Sequence, residues 1–190
     1  MSSRFRPRAG FTLLEVMLAC LLMGTAVLAL MALIPETVML TETTEEGNLA
    51  MQASLQVSEA VRQYADQNFA YVWRVYNSAP ADDPNGAGTA PVLPFLAPGN
   101  TFTVGLAPNQ LENAAGSTAV GTVTFFTDET LNTTASNKVG LPKDLDGDNA
   151  VTNTDVSATY TLLPFEVAVD WKDRRGLIRH TEIFSQVVDY

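Results

Sequence analysis

Hydrophobic residues are concentrated in one nearly unbroken run close to the start of the chain. The run from Phe11 to Ile34 contains a single charged side chain, Glu15. As an α-helix it would be about 36 Å long, which is enough to cross the hydrocarbon core of a bilayer. Three arginines lie within residues 1–10, and the next cation is Arg62. This asymmetry predicts a single-pass protein with a cytoplasmic N-terminus and an exported C-terminal part.

Beyond Pro35 the pattern becomes amphipathic. Apolar residues recur three or four positions apart, which is the spacing of one helical face. These residues are Ala53, Val57, Ala60, Val61, Tyr64, Tyr71 and Val75. The spacing predicts an amphipathic helix over residues 35–77, with a kink near Pro35 because proline removes a helical hydrogen bond. We expect the apolar face to pack against a sheet.

The last part of the chain has the pattern of a β-rich head. Residues 78–100 hold five prolines and three glycines, which predicts a loop. Short β-prone stretches follow at 102–106 and 119–127. Residues 165–171 alternate between apolar and other side chains, residues 172–176 form a candidate turn, and residues 177–188 return, which predicts a hairpin. The expected fold class is α+β, a long N-terminal helix packed on a C-terminal antiparallel sheet.

Charge and composition exclude several classes of function. The formal net charge is −10, and it becomes −13 without residues 1–10. So acidic a chain is not suited to binding nucleic acid, because nothing would neutralise the phosphates. A single cysteine, Cys20, excludes an internal disulfide and a cysteine-based zinc cluster. His180 is the only histidine, and we expect no enzymatic activity.

Glu15 decides between interpretations of the apolar run. A cleaved secretory signal has a shorter apolar region, although residues 27–29 fit a cleavage site. A lipoprotein signal ending at Cys20 would be shorter still, and an ordinary signal anchor does not need an acid. A carboxylate in a spanning helix costs about 3 kcal/mol and calls for a cationic partner. If the leader arginines were removed, the α-amino group of Phe11 in a neighbouring copy would supply one.

The stretch from Gly10 to Val16, Gly-Phe-Thr-Leu-Leu-Glu-Val, resembles the class III signal of type IV prepilins and type II secretion pseudopilins. The resemblance implies that a prepilin peptidase cleaves between Gly10 and Phe11 and methylates the new amine. It also implies that Glu15 pairs with the N-terminus of an adjacent subunit during filament assembly. The C-terminal hairpin resembles that of PilV-type minor pilins. The implied partners are other pilin or pseudopilin subunits, the peptidase and an inner-membrane assembly platform.

A second motif, from Asp144 to Asp155, has the spacing of a calcium-binding loop. The candidate ligands are the Asp144, Asp146, Asp148 and Asp155 carboxylates, the Ala150 carbonyl and Thr152. The loop departs from the EF-hand pattern in having Asn149 where glycine is usual, although asparagine tolerates a left-handed backbone. It also ends in aspartate rather than glutamate. We expect an isolated calcium loop between strands; the alternative is a solvated acidic turn.

The sequence therefore predicts four segments: a leader (1–10), a transmembrane and filament-core helix (11–34), an amphipathic helix (35–77) and a β-rich head (78–190). The favoured function is a minor pilin of a type IV pilus. It would reside in the inner membrane and then in the periplasm or an extracellular filament. A type II secretion pseudopilin is the nearest alternative. A membrane-anchored, calcium-binding adhesion module that never polymerises is the alternative of another class.

Overall fold

A computed structural model describes residues 12–77, 96–97, 100–105 and 110–189. The first element, α1, is a helix over Leu13–Asn68 with Pro35 inside it. The predicted start of this helix at Phe11 lies outside the described residues. The chain divides into two compact units, Met1–Glu42 and Thr43–Tyr190.

In the first unit, every described side chain except the half-buried Glu42 is exposed, and most of them are apolar. By length and composition alone, α1 contains a stretch that is able to cross a membrane. Its hydroxyl groups are satisfied inside the helix: Thr25 Oγ1 donates to the Leu22 carbonyl, and Thr37 Oγ1 donates to the Ile34 carbonyl, each at 2.9 Å. Internal satisfaction of polar groups is what a lipid environment requires.

In the second unit, α1 ends at Asn68 instead of continuing to residue 77. A 3₁₀-helix, Phe69–Tyr71, and a short helix α2, Val72–Asn77, follow it. The Tyr160 hydroxyl donates to the Phe69 carbonyl at 2.7 Å and accepts from the Trp73 N–H at 3.2 Å. A continuous α-helix would join that N–H to that carbonyl directly. A side chain inserted into the hydrogen-bond ladder therefore accounts for the interruption.

The sheet has five antiparallel strands arranged in chain order. The strands are β1 Leu96–Ala97, β2 Thr101–Thr103, β3 Ala119–Phe125, β4 Leu162–Lys172 and β5 Ile178–Val188. Strand β1 lies within the segment predicted as a loop, most of which is outside the described residues. A third helix, α3, spans Thr134–Lys138 in the β3–β4 connection. The predicted α+β class, with a helix packed on an antiparallel sheet, is confirmed.

The C-terminal hairpin has its turn one residue later than the sequence suggests. Lys172 pairs with Ile178, so the connection is 173–177. The buried Asp173 carboxylate closes it by accepting from the backbone N–H groups of Arg175 at 2.9 Å and Leu177 at 2.8 Å. Gly176 has a φ of 81°. The alternation of apolar and other side chains, from which the turn was predicted, does not reveal a hydrogen bond between the Asp173 side chain and the backbone.

The hydrophobic core lies between α1 and the sheet. Its fully buried members include Val57, Val61, Tyr64, Phe102, Leu163, Phe165 and Val167. Two serines, Ser54 and Ser58, share the buried stripe of α1 with the predicted apolar residues. Ser54 tolerates burial because its hydroxyl donates to the Ala50 carbonyl at 2.9 Å.

Candidate functional site

Glu15 lies in the first turn of α1. Its N–H donates to the Thr12 carbonyl at 3.0 Å and to the Thr12 hydroxyl at 3.3 Å. The Thr-x-x-Glu spacing is that of a capping box, which sequence analysis overlooked. An acid near a helix N-terminus also interacts favourably with the helix dipole. This placement lowers the local cost of Glu15, although it brings no cationic side chain of the described residues into an ion pair with it. Gly10 and Phe11 lie outside the described residues.

The acidic loop lies in the connection between β3 and β4, after α3. Its carboxylates accept backbone N–H groups of the loop itself. Asp144 accepts from Gly147 at 2.7 Å and from Asn149 at 2.9 Å. Asn149 has a φ of 67°, so this position is left-handed. These bonds fold the segment into a tight turn and draw its acids together.

Glu129 is the member of the site that the sequence motif does not contain. Its side chain is buried, and Oε1 accepts from the Leu145 N–H at 2.6 Å. Oε2 accepts from the Thr152 N–H at 2.8 Å. One carboxylate thus joins both ends of the acidic loop. The Thr152 and Leu145 N–H bonds lower the pKa of Glu129 despite its burial.

Three carboxylates converge at this place. One oxygen each from Glu129, Asp144 and Asp146 lies within 4.8 Å of the others. The Asp148 N–H bond lowers the pKa of Asp146, but burial and the surrounding carboxylates together raise it above its ordinary value. Crowded oxygen ligands of this kind are the donor set preferred by calcium.

The remaining residues of the predicted ligand set have other contacts. Asp148 Oδ1 accepts from the Ala150 N–H at 2.7 Å. The Thr152 hydroxyl lies 2.6 Å from that of Thr154. Asp155 forms an isolated β-bridge with Asp128, and its carboxylate accepts from the Ser157 N–H at 3.0 Å. Of the predicted ligands, only Asp144 and Asp146 therefore belong to the carboxylate cluster found among the described residues, and Glu129 joins them from outside the motif.

The chain combines a long apolar N-terminal helix with a β-rich C-terminal unit. This arrangement is consistent with membrane anchoring through the N-terminal helix. Residues 5–31 match the prokaryotic N-terminal methylation motif. That match supports the type IV pilin and pseudopilin family, and hence a pilin-like or pseudopilin precursor. The family is structural rather than catalytic. No curated protein and no solved structure matches the chain.

Proposed function

We propose that this chain is a minor subunit of a type IV pilus, of the PilV type. The observation that carries the proposal is the N-terminal motif, in which Gly10, Phe11 and Glu15 have the spacing of a prepilin processing and assembly signal. A prepilin peptidase would cleave between Gly10 and Phe11 and methylate the new amine. The inner-membrane assembly platform would then bring the subunit into contact with other pilins.

Assembly would transfer the apolar helix from lipid to the core of a filament. The exposed apolar side chains of the first unit would then be covered by the helices of neighbouring subunits. Glu15 would face the positive N-terminal amine of an adjacent subunit, and the pair would offset the cost of a carboxylate in an apolar environment. No bond would be made or broken by this chain itself.

A matched pair of variants tests the proposed role of Glu15. Glu15→Gln removes the charge within the apolar run, whereas Glu36→Gln removes the nearest acid beyond Pro35. The measurement is the amount of each variant in sheared extracellular filaments and in membranes, with mass spectrometry of the N-terminus. We expect Glu15→Gln to reduce incorporation at least about tenfold, because it leaves the partner amine unpaired. Glu36→Gln should incorporate normally.

The same experiment separates the alternatives. Methylated Phe11 in the sheared fraction supports the pilus. Processed protein confined to the cell envelope supports a type II secretion pseudopilin instead. An uncut N-terminus, together with full function of Glu15→Gln, would contradict both and favour a membrane-anchored calcium-binding adhesion module.

We also propose that Glu129, Asp144 and Asp146 bind calcium, with further oxygen ligands from the same loop. Support comes from two features: the sequence spacing of the acids, and the convergence of a distant buried glutamate on the same place. Calcium accepts six to eight oxygen ligands, and an exported head would meet calcium concentrations at which modest affinity suffices. The ion would offset the mutual repulsion of the carboxylates.

Isothermal titration of residues 36–190 with calcium tests this second proposal. We expect binding to residues 36–190 and an accompanying rise in Tm, because an ion that binds only the folded state stabilises it. A double variant, Asp144→Asn with Asp146→Asn, should abolish the binding. Glu112→Gln, an exposed acid outside the loop, is the matched control and should bind normally. The absence of binding heat at millimolar calcium would contradict the proposal.

A further inference from the structure

The tip of the β4–β5 hairpin, residues 172–178, is a basic and apolar surface on an acidic protein. Of the 11 lysines and arginines in the chain, three precede Phe11 and four lie between Lys172 and Arg179. Within the hairpin tip, every residue except Asp173 is exposed. Leu177 and Ile178 are 53% and 69% exposed. Cations and large aliphatic side chains are thus presented together.

The acid within the hairpin tip does not neutralise this surface. Asp173 is buried and binds Arg179, with 2.9 Å between Oδ2 and Nε, and that arginine lies outside the tip. Arg174 Nε lies 4.0 Å from Glu46 of α1. Among the described residues, Lys172 and Arg175 have no carboxylate partner. At least two positive charges are therefore available to an external partner.

The contact between Arg174 and Glu46 also shows which part of α1 the hairpin tip meets. Glu46 is close to the start of the second unit, Thr43–Tyr190. It follows Ile34, the end of the apolar run, by 12 residues, and that length of helix rises about 18 Å. Only 12 residues of chain therefore separate the end of the apolar run from the α1 residue that contacts the hairpin tip.

We propose that the hairpin tip docks on the anionic lipid surface of the membrane in which the chain is anchored. Lysine and arginine are attracted to anionic headgroups, and each cation near such a surface strengthens binding several-fold. Adjacent aliphatic side chains enter the headgroup boundary, as in interfacial segments. Such docking would hold the second unit against the bilayer until the subunit is extracted.

A lipid surface explains both properties of the hairpin tip. An acidic protein partner would account for Lys172 and Arg175, but it would not require the exposed aliphatic pair beside them. The anionic bilayer satisfies the charges and also removes Leu177 and Ile178 from water. The inference rests on the membrane anchoring within the proposed function and does not depend on filament assembly.

The test uses the full chain reconstituted in nanodiscs of phosphatidylcholine, with or without phosphatidylglycerol. Cys20→Ala removes the only cysteine, and a fluorophore is then attached at Ile178→Cys or Gln186→Cys. Gln186 is an exposed residue of the same strand, about 27 Å from position 178. A third probe, at Leu22→Cys, reports on insertion of the apolar run. Quenching by nitroxide-labelled lipid measures the proximity of each probe to the bilayer.

We expect lipid quenching at positions 22 and 178 but not at 186, with stronger quenching at 178 when phosphatidylglycerol is present. Lys172→Glu with Arg175→Glu should remove the added effect at 178 and leave position 22 unchanged. Quenching at 22 without any at 178 would refute docking while leaving anchoring intact. Equal quenching at position 178 with and without phosphatidylglycerol would refute the requirement for anionic lipid. An unquenched position 22 would refute the anchoring on which docking depends.

Discussion

The Tyr160 hydroxyl donates a 2.7 Å hydrogen bond to the carbonyl of Phe69, 91 residues earlier in the chain. Their rings also pack together, with centroids 5.0 Å apart. Because the same hydroxyl accepts from the Trp73 N–H, it holds both groups that a continuous α-helix would pair. Tyr160, five residues beyond the acidic loop, thus accounts for the interruption of the long helix after Asn68.

We predict that Tyr160→Phe lowers the free energy of unfolding by about 1–2 kcal/mol, because it leaves a part-buried donor and acceptor without their partner. Denaturant unfolding of residues 36–190 measures the change. The matched control is Tyr71→Phe, a half-buried tyrosine of the adjacent 3₁₀-helix, which should change stability by less than about 0.5 kcal/mol. Equal effects of the two substitutions would mean that the bridging hydroxyl is unimportant.

A second prediction concerns the contact between Gly121 of β3 and Phe102 of β2. A Cβ atom added to Gly121 would lie 2.3 Å from ring atoms of Phe102, which is completely buried. We predict that Gly121→Ala lowers the free energy of unfolding by about 1–3 kcal/mol, the usual cost of overpacking a core. Adding Phe102→Leu to Gly121→Ala should recover part of the loss, because the smaller side chain vacates the space.

Gly47 is the control for this prediction. It lies within α1, and nothing lies within 4 Å of the position that a Cβ would occupy. Gly47→Ala should therefore raise the free energy of unfolding by about 0.5–1 kcal/mol through helix propensity alone. If Gly121→Ala also proved stabilising, the Phe102 ring would not be held against β3 as the structure shows.

Local patterns predicted the helix, its buried face and the C-terminal hairpin because those elements depend on residues close together in sequence. The long-range contacts were not predictable in the same way. Glu129 precedes Leu145 by 16 residues, and nothing in the acidic motif indicates that its carboxylate joins Leu145 to Thr152. Likewise, no periodicity identifies Tyr160 as a helix-interrupting residue. The Thr12–Glu15 spacing, by contrast, was available in the sequence.

The third prediction concerns the pH dependence of Asp173. Burial raises the pKa of Asp173, but hydrogen bonds from Leu177 and Arg179 outweigh this effect and hold it below the ordinary value. The carboxylate therefore contributes stability that is fully present above its unfolded pKa, near 4, and is lost as the pH falls through the lower folded value. We predict that Asp173→Asn is destabilising at neutral pH.

The difference in unfolding free energy between the wild type and Asp173→Asn should shrink as the pH falls below about 4. Denaturant unfolding at neutral and acidic pH measures it. Asp189→Asn, an exposed acid near the C-terminus, serves as the control and should show a small difference throughout. A difference for Asp173→Asn that stayed constant with pH would show that the lost charge is not responsible.

The fourth prediction concerns His180, whose Nδ1 lies 2.7 Å from Asp170 Oδ1 across the hairpin. The bond to Asp170 raises the pKa of His180, with a further contribution from Glu182 at 3.3 Å. The protonated pair therefore contributes stability fully present below the unfolded pKa of about 6.5, and this stability is lost as the pH rises through the higher folded value.

We expect Asp170→Asn to lower the pKa of His180, measured by NMR titration of the imidazole in residues 36–190. Because this is the only histidine, its ring resonances need no assignment by mutagenesis. Glu182→Gln is the matched comparison and should lower the pKa less, since its carboxylate is farther from the ring and also binds Lys138. If both substitutions left the pKa unchanged, the cross-strand pair would not form in solution, because a formed pair must favour the imidazolium.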